Sequence, residues 1–185
     1  MLAASAGNAP AVRIFLEQKG NPVLENRVSE CPLAFKQFER RRPFLQNRNN
    51  ALHWACSSDK PGAADAVKAL LEARDWDFSV KGGVVSACNC VLPLNMRRCL
   101  RQSARNYMQM AAAAGNAAAL QLLISRGVSI ADVAWDGSAL LHLAANSEAA
   151  TAGEAVELLL QTNTFKVDQR RTVSGTTCLL CFACR

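Results

Sequence analysis

Four short segments of the chain share one pattern of apolar and polar positions: "AVRIFL" (11–16), "AVKALL" (66–71), "ALQLLI" (119–124) and "AVELLL" (155–160). Each opens with alanine and a branched apolar residue, passes two variable positions and closes with two large apolar residues. Apolar side chains at i, i+1, i+4 and i+5 form one stripe of an α-helix, so each segment predicts a helix with a single buried face. Upstream of each lies a second, alanine-rich helical segment: "LAASAG" (2–7), "ALHWAC" (51–56), "YMQMAAAAG" (107–115) and "ALLHLAA" (139–145). A fifth, "TTCLLCFAC" (176–184), begins a further copy. Helices this short cannot bury their own faces and must stack on neighbouring pairs, which is the logic of a helical solenoid.

The first large apolar residue of successive inner helices falls at Leu52, Met108, Leu141 and Leu179, in steps of 56, 33 and 38 residues. The undisturbed copy reads "NYMQMAAAAGNAAALQLLISRGVSIADVAWDG" (106–137), with Gly115-Asn116, Gly127 and Gly137 as turn residues. Leu52-His53 and Leu141-His142 form matching dipeptides, and "AGN" at 6–8 repeats at 114–116. This unit resembles the ankyrin repeat, with its T-P-L-H-x-A-A signature, glycine turn and glycine-ended outer helix.

The resemblance implies an all-α, ankyrin-type helical solenoid of about four repeats plus a truncated fifth, forming a single domain over 1–185. The copies fall at about 1–20, 49–77, 105–134, 137–166 and 175–185. Insertions at about 21–48 and 78–104 lie between an outer helix and the next inner helix, where the ankyrin finger belongs. They are read as elongated fingers. The alternative, a degenerate repeat with a helix over 31–45 ended by Pro43, stays open.

The departures from the family are physical. Thr-Pro is replaced by Asn50-Ala51, Asn106-Tyr107, Ala139-Leu140 and Thr177-Cys178. Asparagine still accepts free N–H groups at a helix start, so Asn50 and Asn106 are expected caps, whereas Ala139 cannot cap. Ser138 precedes Ala139 by one residue. The second and fourth copies carry three extra residues between their helices, and this alternation points to a duplicated two-repeat unit.

Composition narrows the function. Half of the 185 residues are apolar and 19% are charged, which excludes a disordered chain. No apolar run reaches the length of a membrane span, and the N-terminus lacks the basic start of a secretory leader. The expected setting is cytoplasmic, with the nucleus as the alternative because "ERRRP" (39–43) has the look of an import signal. Both histidines, His53 and His142, fill the L-H slot and are assigned structural roles. No Cys–His or Ser–His pair then remains for catalysis. "SSDKPG" (57–62) is too poor in glycine for a phosphate loop, and Asp75 and Asp77 read as a solvated turn. The expectation is therefore no enzyme, no small-molecule substrate, no cofactor and no metal.

Two cysteine triplets keep an alternative open. Cys88, Cys90 and Cys99 lie in the second insertion, and Cys178, Cys181 and Cys184 share one face of the fifth inner helix. Packing accounts for the second set, while a metal- or redox-responsive module is the competing reading.

The net charge is +6. Three segments hold 12 of the 21 basic residues: Lys36, Arg40, Arg41, Arg42 and Arg48; Arg97, Arg98, Arg101 and Arg105; Lys166, Arg170 and Arg171. All three precede an inner helix, so stacking aligns them into a basic ridge on the finger side. The ridge suits an acidic protein, with RNA or anionic lipid as the alternative and nucleic acid ranked low. Ankyrin proteins bind through finger tips and the inner-helix face. Carried over by position, that pattern marks Trp135, Asp136, Ser138, Asn146 and Ser147, with Asn47, Asn49, Ser57, Ser58 and Ser103 as weaker candidates. Arg40, Arg41, Arg98, Arg101 and Arg105 are added from the ridge. Trp54 is placed in the core, and Trp76 in either core or contact surface. The expected chain is a scaffold or adaptor, monomeric or part of a larger protein.

Overall fold

A computed structural model describes residues 1–25, 45–47, 49–82, 84–86, 105–134, 137–166 and 168. Among these residues the helices come in sequential pairs: α1 (Leu2–Ser5) with α2 (Ala9–Glu17), α3 (Ala51–Cys56) with α4 (Ala63–Ala73), α5 (Tyr107–Ala113) with α6 (Ala117–Ser125), and α7 (Leu140–Ala145) with α8 (Ala152–Gln161). Inner helices stack on inner helices in chain order, and outer on outer. The result is the all-α solenoid that the apolar periodicity predicts. The fifth segment, 176–184, lies outside the described residues, as does 31–44 of the first insertion.

Burial along the outer helices shows which side each position faces. The first position (Ala66, Ala119, Ala155) and the fifth (Leu70, Leu123, Leu159) are buried in the second, third and fourth pairs. The second position is buried in the first three pairs (Val12, Val67, Leu120) and half-buried in the fourth (Val156). Positions one and five, one helical turn apart, therefore face the preceding pair, and position two faces the following one. Leu52, Met108 and Leu141 of the inner helices complete a continuous core.

The turns inside the pairs explain why glycine recurs. In the first and third pairs the inner helix ends in the same left-handed cap. Gly115 has φ +64° and Gly7 φ +65°. Gly115 N–H reaches Ala112 O at 3.0 Å and Asn116 N–H reaches Ala111 O at 3.0 Å, a Schellman closure. Asn116 then caps α6 by accepting from Ala119 N–H at 3.0 Å, as Asn8 caps α2 by accepting from Ala11 N–H at 3.1 Å. The longer turns of the second and fourth pairs lie over these short ones. Ser58 Oγ donates to Ser5 O at 2.9 Å, Asn116 Nδ2 to Ser58 O at 2.9 Å, and Thr151 Oγ1 to Gly115 O at 2.7 Å. A polar chain thus joins all four pairs along one edge.

Two three-residue strands add to the all-α plan. β1 (Leu45–Asn47) and β2 (Val84–Ser86) pair antiparallel, with Leu45 opposite Ser86. They belong to successive inter-repeat connections, whose adjacent backbones need partners for their N–H and C=O groups. Gly82 and Arg105 exchange two further backbone bonds, of 2.9 and 2.8 Å, and so bring the two ends of the second insertion together.

Outer-helix ends differ in a way that can be tested. Past α6, Gly127 takes φ +75°, but the same place after α2 and α8 is filled by Lys19 at φ +58° and Asn163 at φ +53°. A lysine held in the left-handed region costs roughly 1–2 kcal/mol, which glycine avoids in part. Lys19→Gly is expected to raise the free energy of unfolding by roughly 1 kcal/mol in urea titrations, and Asn163→Gly by less, because asparagine tolerates this conformation.

Candidate functional site

The finger bases are built from the starts of the inner helices. Asn50 Oδ1 accepts from His53 N–H at 3.1 Å, while His53 Nδ1 lies 3.3 Å from the Asn50 backbone nitrogen, so the two form a reciprocal cap. Asn106 and Gln109 repeat it: Asn106 Oδ1 accepts from Gln109 N–H at 2.8 Å, and Gln109 Oε1 accepts from Asn106 N–H at 3.2 Å. Glutamine thus takes the place of the slot histidine. The Asn50 cap also reaches into the next repeat, and the Asn106 cap reaches the far end of its own. Asn50 Nδ2 donates to Tyr107 Oη at 2.8 Å, and Asn106 Nδ2 to Asp132 Oδ2 at 3.1 Å. Ala139, the residue before α7, makes no side-chain cap, as its methyl group dictates.

Tyr107 is the hub beneath the second finger. Its ring lies 4.1 Å from that of His53, tilted by 32°, and meets Trp76 and Phe78 edge-on at 6.2 Å each. Burial raises the pKa of its phenol, an effect opposed by the Asn50 hydrogen bond. Gly82 passes directly over this cluster, where a Cβ would sit 2.5 Å from His53 Cδ2. Trp76 has an internal duty: its Nε1 donates to Leu70 O at 2.7 Å, and Arg126 Nη1 donates to Leu71 O at 2.9 Å. Both carbonyls belong to the last turn of α4, whose cap residue, Arg74, is extended and supplies no left-handed closure. Side chains therefore satisfy carbonyls that the backbone leaves free.

The next finger is held from both sides. Ala134 N–H donates to Ser138 O at 2.8 Å, and Gly137 N–H to Ala134 O at 2.8 Å. Asp132 is anchored to Asn106, and beside it Val133 stands 54% exposed.

A crystal structure of the human ASB11 ankyrin repeat domain matches 97% of this chain with a TM-score of 0.61 at 21% sequence identity. The chain has the ankyrin-repeat fold. It spans 60% of the length of that solved domain. No protein-family model and no curated protein sequence matches the chain.

Within the ankyrin frame the marked residues separate. Trp135 and Asp136 lie outside the described residues, as do Arg40, Arg41, Arg98, Arg101 and Ser103. Ser138 is fully buried, and its carbonyl closes the finger, so it faces inward and not toward a partner. Asn49 and Ser58 are likewise buried. Asn146 is exposed, whereas Ser147 and Arg105 are half-buried. Trp54 is half-buried against the core. Sequence reasoning missed Val133, an exposed branched aliphatic two residues before Trp135. The signal was an apolar residue between the aspartate anchor and the turn.

Asp75 and Asp77 sit in the solvated turn that the sequence suggests. The Asp77 carboxylate accepts from Ser79 Oγ at 2.6 Å and Ser79 N–H at 2.9 Å, and these bonds lower its pKa. Cys56 is buried, which pushes its thiol pKa well up and leaves it unreactive. Both cysteine triplets lie outside the described residues, among which no metal-binding cluster occurs. No described helix is long and apolar enough to cross a membrane.

Two predictions come from the finger base. Burial lowers the His53 pKa from 6.5 to about 4, against a smaller upward pull from the Val80 backbone. The unfolded chain therefore binds a proton before the folded one does. The stability tied to neutral His53 is complete above pH 6.5 and is lost as the pH falls toward 4, by roughly 3 kcal/mol. His53→Gln, copying the third repeat, is expected to keep the cap and remove this component when unfolding is followed from pH 7 to 4. Trp76→Phe is expected to cost roughly 1–2 kcal/mol in chemical denaturation, because Leu70 O loses its donor.

Proposed function

We propose that the chain is a non-catalytic protein-binding module that takes its partner on the finger loops and the inner-helix face. The observation that carries this is the finger between the third and fourth repeats. Its base is fixed by the Asn106–Asp132 bond and by the Ala134–Ser138 closure, while Val133 is left exposed. An apolar side chain presented on a pre-ordered loop loses little conformational entropy on binding, and an aromatic neighbour such as Trp135 is the residue type that dominates interface energetics. Asp136, Asn146 and Ser147 would supply the polar rim. Ser138 is left out, since its part is to hold the finger from within.

The net charge of +6 and the arginines of the first two insertions favour an acidic partner. Arg40, Arg41, Arg98 and Arg101 would supply long-range attraction, and Arg105 would act at the base of the second finger. Such a module has no need of a cofactor or a small-molecule substrate.

The test starts with partners captured from cell lysate on the immobilised chain. Each candidate is then purified and titrated against variants of unchanged unfolding midpoint. Trp135→Ala and Val133→Ser are expected to weaken binding together by roughly 30-fold or more, the scale of a hot spot. Ala118→Lys on the outer helices should leave affinity unchanged. The affinity should also fall steeply between low and physiological salt. Loss of binding in the outer-helix variant with the finger variants unaffected would move the site to the opposite face and refute the proposal.

A further inference from the structure

The first repeat exposes a surface that the following repeats cover fully or in part. At the fifth outer-helix position Leu70 is 1%, Leu123 0% and Leu159 0% exposed, whereas Phe15 is 64% exposed. Ile14 beside it is 59% exposed, whereas of its counterparts Ala69 is buried and Leu122 and Leu158 are half-buried. Ala11 is half-buried where Ala66, Ala119 and Ala155 are fully covered. On the inner helix Leu2 is 87% exposed, whereas of its counterparts Leu143 is buried and Trp54 and Met110 are half-buried. These residues lie on the side of α1 and α2 turned away from α3 and α4. They sit in the register by which later repeats pack on the one before.

We propose that this side of the first repeat is a stacking face for one more helix pair of the same kind, docked ahead of it in the solenoid. Within the chain, each outer helix packs on the one before it, and the second outer-helix position, valine or leucine, is buried in the three repeats that have a following pair. Phe15, Ile14 and Leu2 continue that interface by one step without a mate. A row of large apolar side chains is not what a solvent-facing end repeat carries, because terminal repeats of solenoids need a polar outer face. The ankyrin domain matched above is longer than this chain, which spans 60% of it, so the fold accommodates further repeats.

The experiment compares the full chain with the same chain carrying a consensus ankyrin repeat, polar on its own outer side, fused ahead of Met1. Thermal unfolding and oligomeric state are measured for both, each with Phe15, Phe15→Leu and Phe15→Ala. In the fusion, Phe15→Ala is expected to lower Tm by roughly 10 °C and Phe15→Leu by much less, leucine being the residue used in the three later repeats. In the chain alone Phe15→Ala should shift Tm by roughly 2 °C or less, since an exposed ring has little to lose. Equal small shifts in both backgrounds, or an added repeat that melts separately, would overturn the proposal. So would a dimer of the chain alone that Phe15→Glu splits into monomers, because the face would then serve a second copy.

Discussion

A six-residue helix such as α3 or α7 has almost every backbone group at an end. The first four N–H groups and last four carbonyls of any helix lack internal partners, so a helix this short depends on outside donors and acceptors. That constraint organises the chain. Asn50 and Asn106 satisfy the helix starts with their oxygens; with their amide nitrogens Asn50 ties its start to the next repeat and Asn106 ties its start to the finger that ends its own. At Asn50 local capping and repeat-to-repeat attachment are thus one device. The polar interactions that make the helices possible also fix their spacing.

The opposite edge solves the same problem by alternation. Short glycine turns lie in the first and third repeats, and longer turns from the second and fourth fold over them. The Gly115 position has no room for a side chain, since a Cβ there would sit 2.6 Å from Ser147 Oγ and 3.0 Å from Ala149 Cβ. The three extra residues of the longer turns are therefore part of the packing between repeats. They supply the seryl and threonyl hydroxyls that donate across the gap. Where the pattern lapses, at the end of α4, an indole and a guanidinium from further along the chain take over. The solenoid tolerates degenerate sequence because several chemistries can satisfy the same backbone groups.

These constraints also separate support from contact. Tyr107, His53, Trp76 and Ser138 are polar or aromatic residues next to the fingers, the types that binding surfaces favour. Among the described residues Tyr107, His53 and Trp76 pack and bond at the finger base, and Ser138 O accepts from Ala134 N–H there. Val133 and Asn146 have the opposite placement, exposed on elements whose bases are fixed. The proposed function rests on that contrast between a hydrogen-bonded base and exposed neighbours.

The sequence alone determined the helix pairs, their order and the solenoid. Those follow from local rules: a 3.6-residue apolar period, asparagine before a helix, and glycine where φ must be positive. It also determined that His53 is structural, because its position relative to Asn50 is a local geometry of three residues. The environment of each residue needed the tertiary structure. Ser138 and Asn146 look equally polar in sequence, yet one is buried under a finger and the other exposed. Phe15 and Leu123 obey one pattern and meet opposite fates, because burial depends on whether another repeat packs there. Periodicity records the face a residue presents; only packing decides what, if anything, lies against it.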